Sequence, residues 1–211
     1  MRNPRRDRPR ISHFLTTAFM LQLLVPFGAS AQDDAPPQWI FDVGTGARVF
    51  HDDSMENVYG TGLVILGGVS YVLEPGWSAL RVDLTYRGDE GEELQLDDTF
   101  EVDPSRNDSV SLALGIRFGP ETGRDKPVTM RAGFGGELMW SSWRPPVGDR
   151  ESDWIPGVWA DVSPRIYVTS GWEAWAMFRV CFSKEQELDG GFEAFDHDDF
   201  NFLVGVSRVA H

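Results

Sequence analysis

Cysteine is almost missing from this chain. Cys181 stands alone, so no intrachain disulfide can form, and its plainest role is as a small packing residue. Long apolar runs are also missing beyond the N-terminus: no later segment could cross a bilayer as a helix, which excludes a helical membrane protein. Positive charge is scarce, with 19 Lys and Arg against 33 Asp and Glu and a formal net charge of −14. Five of those arginines lie in the first ten residues, so residues 32–211 hold 14 basic and 32 acidic side chains, a net of −18. A chain that acidic is unsuited to nucleic acid.

What is present begins with Arg2, Arg5, Arg6, Arg8 and Arg10, followed by an apolar stretch from Phe14 to Phe27 and the small-residue site Ala29-Ser30-Ala31. This order predicts a secretory signal peptide over residues 1–31, cleaved before Gln32. A twin-arginine reading of Arg5-Arg6 is disfavoured, because Asp7-Arg8-Pro9 lacks the apolar pattern such a signal needs. Residues 32–211 then form one domain.

Within that domain, period-two alternation recurs. In 80–87, Leu80, Val82, Leu84 and Tyr86 share one face, and Arg81, Asp83, Thr85 and Arg87 the other. In 110–118, Val110, Leu112, Leu114, Ile116 and Phe118 oppose Ser111, Ala113, Gly115 and Arg117. In 128–140, Val128, Met130, Ala132, Phe134, Leu138 and Trp140 oppose Thr129, Arg131, Gly133, Gly135 and Glu137. Segments 39–50, 58–73, 157–168, 172–182 and 200–209 are similar and bring the count to eight, enough to close a barrel. Residues 58–73 are apolar on both faces around Val64-Ile65-Leu66, which predicts a bulge or an overhang there.

Alternation does not say which face meets water, since a soluble lipocalin-like barrel would show the same period with its apolar face inside. Three features favour a transmembrane barrel. Short connections at 74–76, 119–127 and 169–171 alternate with longer ones at 51–57, 89–107, 143–156 and 183–199, matching periplasmic turns and outer loops. The polar faces carry seven arginines (48, 81, 87, 117, 131, 165 and 179) and five acids (Asp42, Asp83, Glu137, Asp161 and Glu173) but no lysine. Such a set suits a narrow interior of close pairs, with Gly44, Gly46, Gly60, Gly62, Gly115, Gly133 and Gly135 leaving room for the long side chains. On this reading Arg131→Leu should leave a carboxylate unpaired and lower stability. Finally, aromatics gather near strand ends, at Trp39, Phe41, Tyr59, Tyr71, Trp77, Tyr86, Phe118, Trp140, Trp143, Trp172 and Phe182, as an interfacial girdle would.

By this pattern the chain resembles the small eight-stranded outer-membrane barrels of the OmpA/OmpX class. The resemblance implies an all-β, antiparallel, up-and-down transmembrane β-barrel in the bacterial outer membrane, with the lipid bilayer and lipopolysaccharide as its surroundings. It departs from that class at its end, Val209-Ala210-His211, where a terminal aromatic is usual.

The four long connections carry nearly all the net charge. Divalent cations could bind there, with Asp97, Asp98, Asp103, Asp196, Asp198 and Asp199 as oxygen ligands, but no EF-hand or repeated Gly–Asp pattern cages them, and solvated acidic loops are the simpler reading. Some small outer-membrane barrels deacylate or acylate lipid A. Here His51, Asp52, Asp53 and Ser54, with His197 and Asp198, hold the residue types for a base, a nucleophile and an orienting carboxylate, yet in no known spacing. The sequence therefore predicts a structural or surface-interaction barrel with no catalytic, metal or cofactor residues assigned, no cofactor and no identified protein partner. A general porin is disfavoured, because an eight-stranded barrel encloses little beyond its own side chains.

Overall fold

The computed structural model describes residues 39–50, 61–75, 77–90, 95–97, 100–101, 106–144, 150–183 and 198–210. It contains strands β1 (Trp39–Phe50), β2 (Gly62–Glu74), β3 (Ser78–Glu90), β4 (Gln95–Asp97), β5 (Phe100–Glu101), β6 (Arg106–Phe118), β7 (Val128–Arg144), β8 (Glu151–Thr169), β9 (Trp172–Ser183) and β10 (Asp199–Ala210). Eight of them close an antiparallel barrel in the order β1-β10-β9-β8-β7-β6-β3-β2, while β4 and β5 pair only with each other, between β3 and β6. First and last barrel strands meet in continuous register, Trp39 opposite Ala210 through Phe50 opposite Asp199. Closure leaves no sheet edge to be covered.

The alternation expected from sequence is the alternation observed. Arg81, Asp83, Thr85 and Arg87 are buried inside, whereas Leu80 and Leu84 face out. Around the barrel the exposed positions form an apolar belt that includes Leu112, Leu114, Phe134, Val158, Phe178, Phe202 and Val204. This overturns the lipocalin-like alternative, in which those side chains would line the interior. A wall apolar outside and charged inside is at equilibrium in hydrocarbon rather than in water.

Two expectations about strand limits change. The predicted bulge at Val64-Ile65-Leu66 is not there: β2 keeps regular register with both neighbours through that stretch, and its irregularity falls between Val72 and Glu74, at the turn. Val64 and Leu66 instead point inward and join Trp175, Met177 and Leu203 in an apolar layer within the barrel. Residues 58–60 lie outside the described set. The connection expected over 143–156 is mostly strand, since β7 runs to Arg144 and β8 starts at Glu151. Pro156 is accommodated because β8 pairs with β9 only from Gly157 onward, so above that point no ladder bond is required on that side.

At the turn end the β8–β9 hairpin closes through Ser170-Gly171, where Gly171 adopts φ +71° and its carbonyl accepts from the Val209 N–H at 2.8 Å. The 119–127 connection folds over the same end. Paired bonds between Gly123 and Lys126 hold its tip, the Gly119 N–H donates to the Trp77 carbonyl, and the Tyr167 N–H donates to the Pro127 carbonyl.

Candidate functional site

The inward face supplies the chemistry. Seven arginines and seven carboxylates are buried there, so the described interior is neutral. Five of the acids were legible in the strand pattern. The other two, Asp89 and Asp199, fall in the outer connections of the sequence reading, with Asp199 among the candidate cation ligands that it disfavours. The structure corrects both: Asp89 and Asp199 each lie 2.7 Å from Arg48 and are buried. Their signal was parity, since each continues the inward register of its own strand.

The fourteen groups sort into three levels. In the middle, Arg81 meets Asp83 at 2.8 Å and Asp161 at 3.0 Å, and Arg179 meets the same two at 2.5 and 3.0 Å. Strands β3 and β9 stand opposite each other in the barrel order, so this tetrad ties facing walls together. At the loop end, Arg48 and Arg87 share Asp89, Asp199 and Glu137, the Arg87–Glu137 contact being 3.1 Å. At the turn end, Asp42 accepts from Arg117 at 2.5 Å and Arg165 at 3.1 Å, and Glu173 accepts from Arg165 at 2.9 Å and Arg131 at 3.0 Å. Arg131→Leu would therefore leave Glu173 with Arg165 rather than unpaired, which corrects the sequence-based expectation for that substitution.

Two indoles fill the space between the charged levels. Trp159 lies beneath Arg179, whose guanidinium carbon is 4.4 Å from the ring centroid, and packs with Ala113 and Cys181. Trp175 lies in the apolar layer with Val64, Leu66, Met177 and Leu203. A Cβ added at Gly44 or Gly205 would fall 2.3 or 2.4 Å from its ring, and one at Gly115 would fall 2.5 Å from Trp159. Gly44, Gly115 and Gly205 thus make room for indoles rather than for arginines and Gly62 and Gly68 for Asp89 and Asp83, whereas Gly46 and Gly135 let neighbouring backbone approach. Cys181 is buried, as its packing role predicted.

The girdle is present on the outside. Trp39 and Tyr71 meet edge to face at 4.9 Å, Trp77 and Phe182 are exposed, and Trp154 adds an exposed indole near the loop end of β8. Tyr59 lies outside the described residues.

The candidate catalytic set falls almost entirely outside the described residues. His51, Asp52, Asp53, Ser54 and His197 lie outside them, and Asp198 accepts from the Ser183 backbone N–H at 2.8 Å, tying down the end of β9. Of the cation candidates, Asp98, Asp103 and Asp196 also lie outside, as does the side chain of Asp97.

A cleft of about 370 Å³ opens at the turn end, lined from the 119–127 connection, β7, β8 and the Ser170-Gly171 turn. Arg131 and Glu173 form part of its wall. There the buried ion-pair network borders a cavity.

No family model matches the chain, and no curated protein matches it in sequence. Solved structures do match in fold. Neisserial surface protein A is 12% identical with a TM-score of 0.55, over 84% of this chain and all of that one. The outer membrane protein OprG from Pseudomonas aeruginosa is 9% identical with a TM-score of 0.55, over 83% and 97%. Ail, the attachment invasion locus protein of Yersinia pestis, is 11% identical with a TM-score of 0.52, over 82% and 99%. At such identities the likeness speaks for the fold, a small eight-stranded outer-membrane barrel.

Proposed function

We propose that this chain is a bacterial outer-membrane protein with a structural or cell-surface interaction role, and neither a general porin nor an enzyme. The observation that carries the reading is the interior: seven arginines and seven carboxylates, interleaved with Trp159, Trp175 and an apolar layer, occupy the space a pore would need. On this reading residues 1–31 direct secretion and are removed, the belt contacts lipid, and the acidic connections face outward against lipopolysaccharide. With Asp89 and Asp199 inside, those connections still hold most of the chain's negative charge. The names of two fold neighbours, a surface protein and an attachment invasion locus protein, are in keeping with a role at the cell surface.

The test has two parts. Detergent gels of the outer-membrane fraction, run with and without boiling, should show a migration shift, and the purified barrel in planar bilayers should show no steady porin-like conductance. A stable open channel of nanosiemens size, on the order expected for a water-filled lumen, would defeat the closed-interior reading. His51→Ala and His197→Ala should leave the protein's cellular phenotype unchanged; loss of a lipid A modification in either variant would move the assignment to an enzyme.

A further inference from the structure

We propose that the outer wall of β6, β7 and β8 binds a lipid A phosphate of lipopolysaccharide through a row of three arginines above the apolar belt. The inference rests on the proposed function only in placing the loop end in the outer leaflet. Toward that end the outward positions of these strands and β3 run in cross-strand rows. Tyr86, Val110, Trp140 and Trp154 make one row, and Gly88, Asp108, Ser142 and Ser152 the next. In the row above, Arg106 pairs with Arg144, and Arg150 joins them by donating from Nε to the Ser142 hydroxyl. All three arginines are exposed. Two residues along a strand is about 7 Å, so the guanidinium groups stand just beyond indoles that mark the edge of the hydrocarbon. Lipid phosphates lie at that level.

The donors of this row are open. Tyr86 leans past Gly88, where a Cβ would fall 2.8 Å from its hydroxyl oxygen, and donates to Asp108 at 2.8 Å. Asp108 also accepts from Nε and Nη2 of Arg106, which orients that guanidinium and leaves its Nη1 uncommitted. Arg144 has no bonding partner among the described residues, and Arg150 spends only Nε, on Ser142. Charge on this outward face is positive even when Glu90, opposite Arg106 on β3, is counted: three arginines stand against Asp108 and Glu90. Glu151 and Asp153 have the other parity, that of the inward Ile155. The remaining described arginines of the loop end, Arg48 and Arg87, are buried inside, so the face is one-sided. Acidic connections need a divalent cation to meet a phosphate, whereas forked guanidinium groups take its oxygens directly. Binding that survives chelation of divalent cations is therefore the signature of the arginine row.

The experiment is native mass spectrometry of the full barrel released from detergent micelles, titrated with diphosphoryl lipid A in the presence of EDTA. Dephosphorylated lipid A and phosphatidylglycerol are the comparators. Diphosphoryl lipid A should bind more tightly than either. The double variant Arg144→Gln with Arg150→Gln should weaken that binding about tenfold or more, the scale of lost charge-assisted contacts. Arg208→Gln removes a charge at the turn end and should leave binding unchanged. Heat-modifiability is checked for each variant, and Arg144→Gln alone, which breaks no bond among the described residues, carries the test if the double variant does not fold. The proposal is overturned if lipid A does not bind, if its dephosphorylated form binds equally, or if phosphatidylglycerol is preferred, which would make the row a general anionic-lipid site. It is equally overturned by insensitivity to the loop-end substitutions, or by an equal loss in Arg208→Gln, which would make binding a response to net charge. A heat-modifiable, non-conducting barrel that fails these tests loses the phosphate site and keeps its proposed function, so the two readings fail separately.

Discussion

Along β6, Ser111, Ala113 and Arg117 are at most 2% exposed, while their neighbours Leu112 and Leu114 are 58% and 56% exposed. One step along the chain exchanges a packed, polar interior for a surface that only lipid can satisfy. The two faces also differ in how much they specify. The outer face is nearly uniform, so sliding a strand by two residues would put other apolar side chains in the same place at little cost. Inside, the same slip of β9 would part Arg179 from Asp83 and Asp161, and one of β3 would part Arg81 from Asp161 and Asp83 from Arg179. The outer face therefore fixes which way each strand faces, and the inner charges fix its register. Hydrophobicity, which orders the core of a soluble protein, here does the less selective work.

The comparison breaks most sharply at the tetrad. Arg179→Leu leaves Asp83 and Asp161 sharing Arg81 alone, in a site where both are buried. A destabilisation of about 3–5 kcal/mol is expected from the uncompensated charge, read as a lowered urea midpoint for unfolding from lipid vesicles. A loss no larger than that of an exposed ion pair would show that register is set elsewhere. The outer face is probed at the same height by Leu112→Arg, which should cost about 2–4 kcal/mol in vesicles, as a cation near the bilayer midplane does. If that variant proves neutral in vesicles, the belt is not in contact with hydrocarbon.

Gly44→Ala tests the packing between the charged levels. Its Cβ would lie 2.3 Å from the Trp175 ring and 2.8 Å from the Val204 carbonyl oxygen, so the indole must move against a wall that cannot give. About 1–3 kcal/mol of overpacking cost is expected, and a double variant with Trp175→Leu should recover part of it. An additive double variant would mean that the indole is not what the glycine accommodates.

Much of this architecture was legible in the residues because a barrel wall imposes a strict period of two, and β3, β6 and β7 write it almost without interruption. Asp89 and Asp199 were missed for a physical reason: each lies where its strand passes into an acidic stretch, Asp89-Glu90 and Asp196 to Asp199, so composition masked parity. Trp159 and Trp175 share the inward register of Asp161 and Arg179, yet an indole in a barrel strand reads by habit as lipid-facing or interfacial. The start of β8 was missed because it runs through Pro156, which pairs with β7 alone and so needs no donor toward β9. The turn-end cleft was beyond reach from sequence, because it depends on how the 119–127 connection folds across the mouth through Gly119, Gly123 and Pro127.

The smallest expected effect sharpens the comparison from the other side. Arg106 and Asp108 form an ion pair at 2.7 Å, as short as those inside, but their side chains are 59% and 20% exposed. Asp108 also accepts from the Tyr86 hydroxyl at 2.8 Å, so it keeps a partner when the arginine is removed. Water solvates the arginine when the pair opens, and salt screens the attraction, so Arg106→Ala should cost less than about 1 kcal/mol and less still in high salt. Arg179→Leu should be nearly insensitive to salt, because no counterion reaches the tetrad. Ion pairs of similar length would then differ severalfold in cost and in their response to salt. Equal responses in the two variants would mean that the interior is hydrated, and the contrast between the two faces of the wall would have to be redrawn as one between water and lipid.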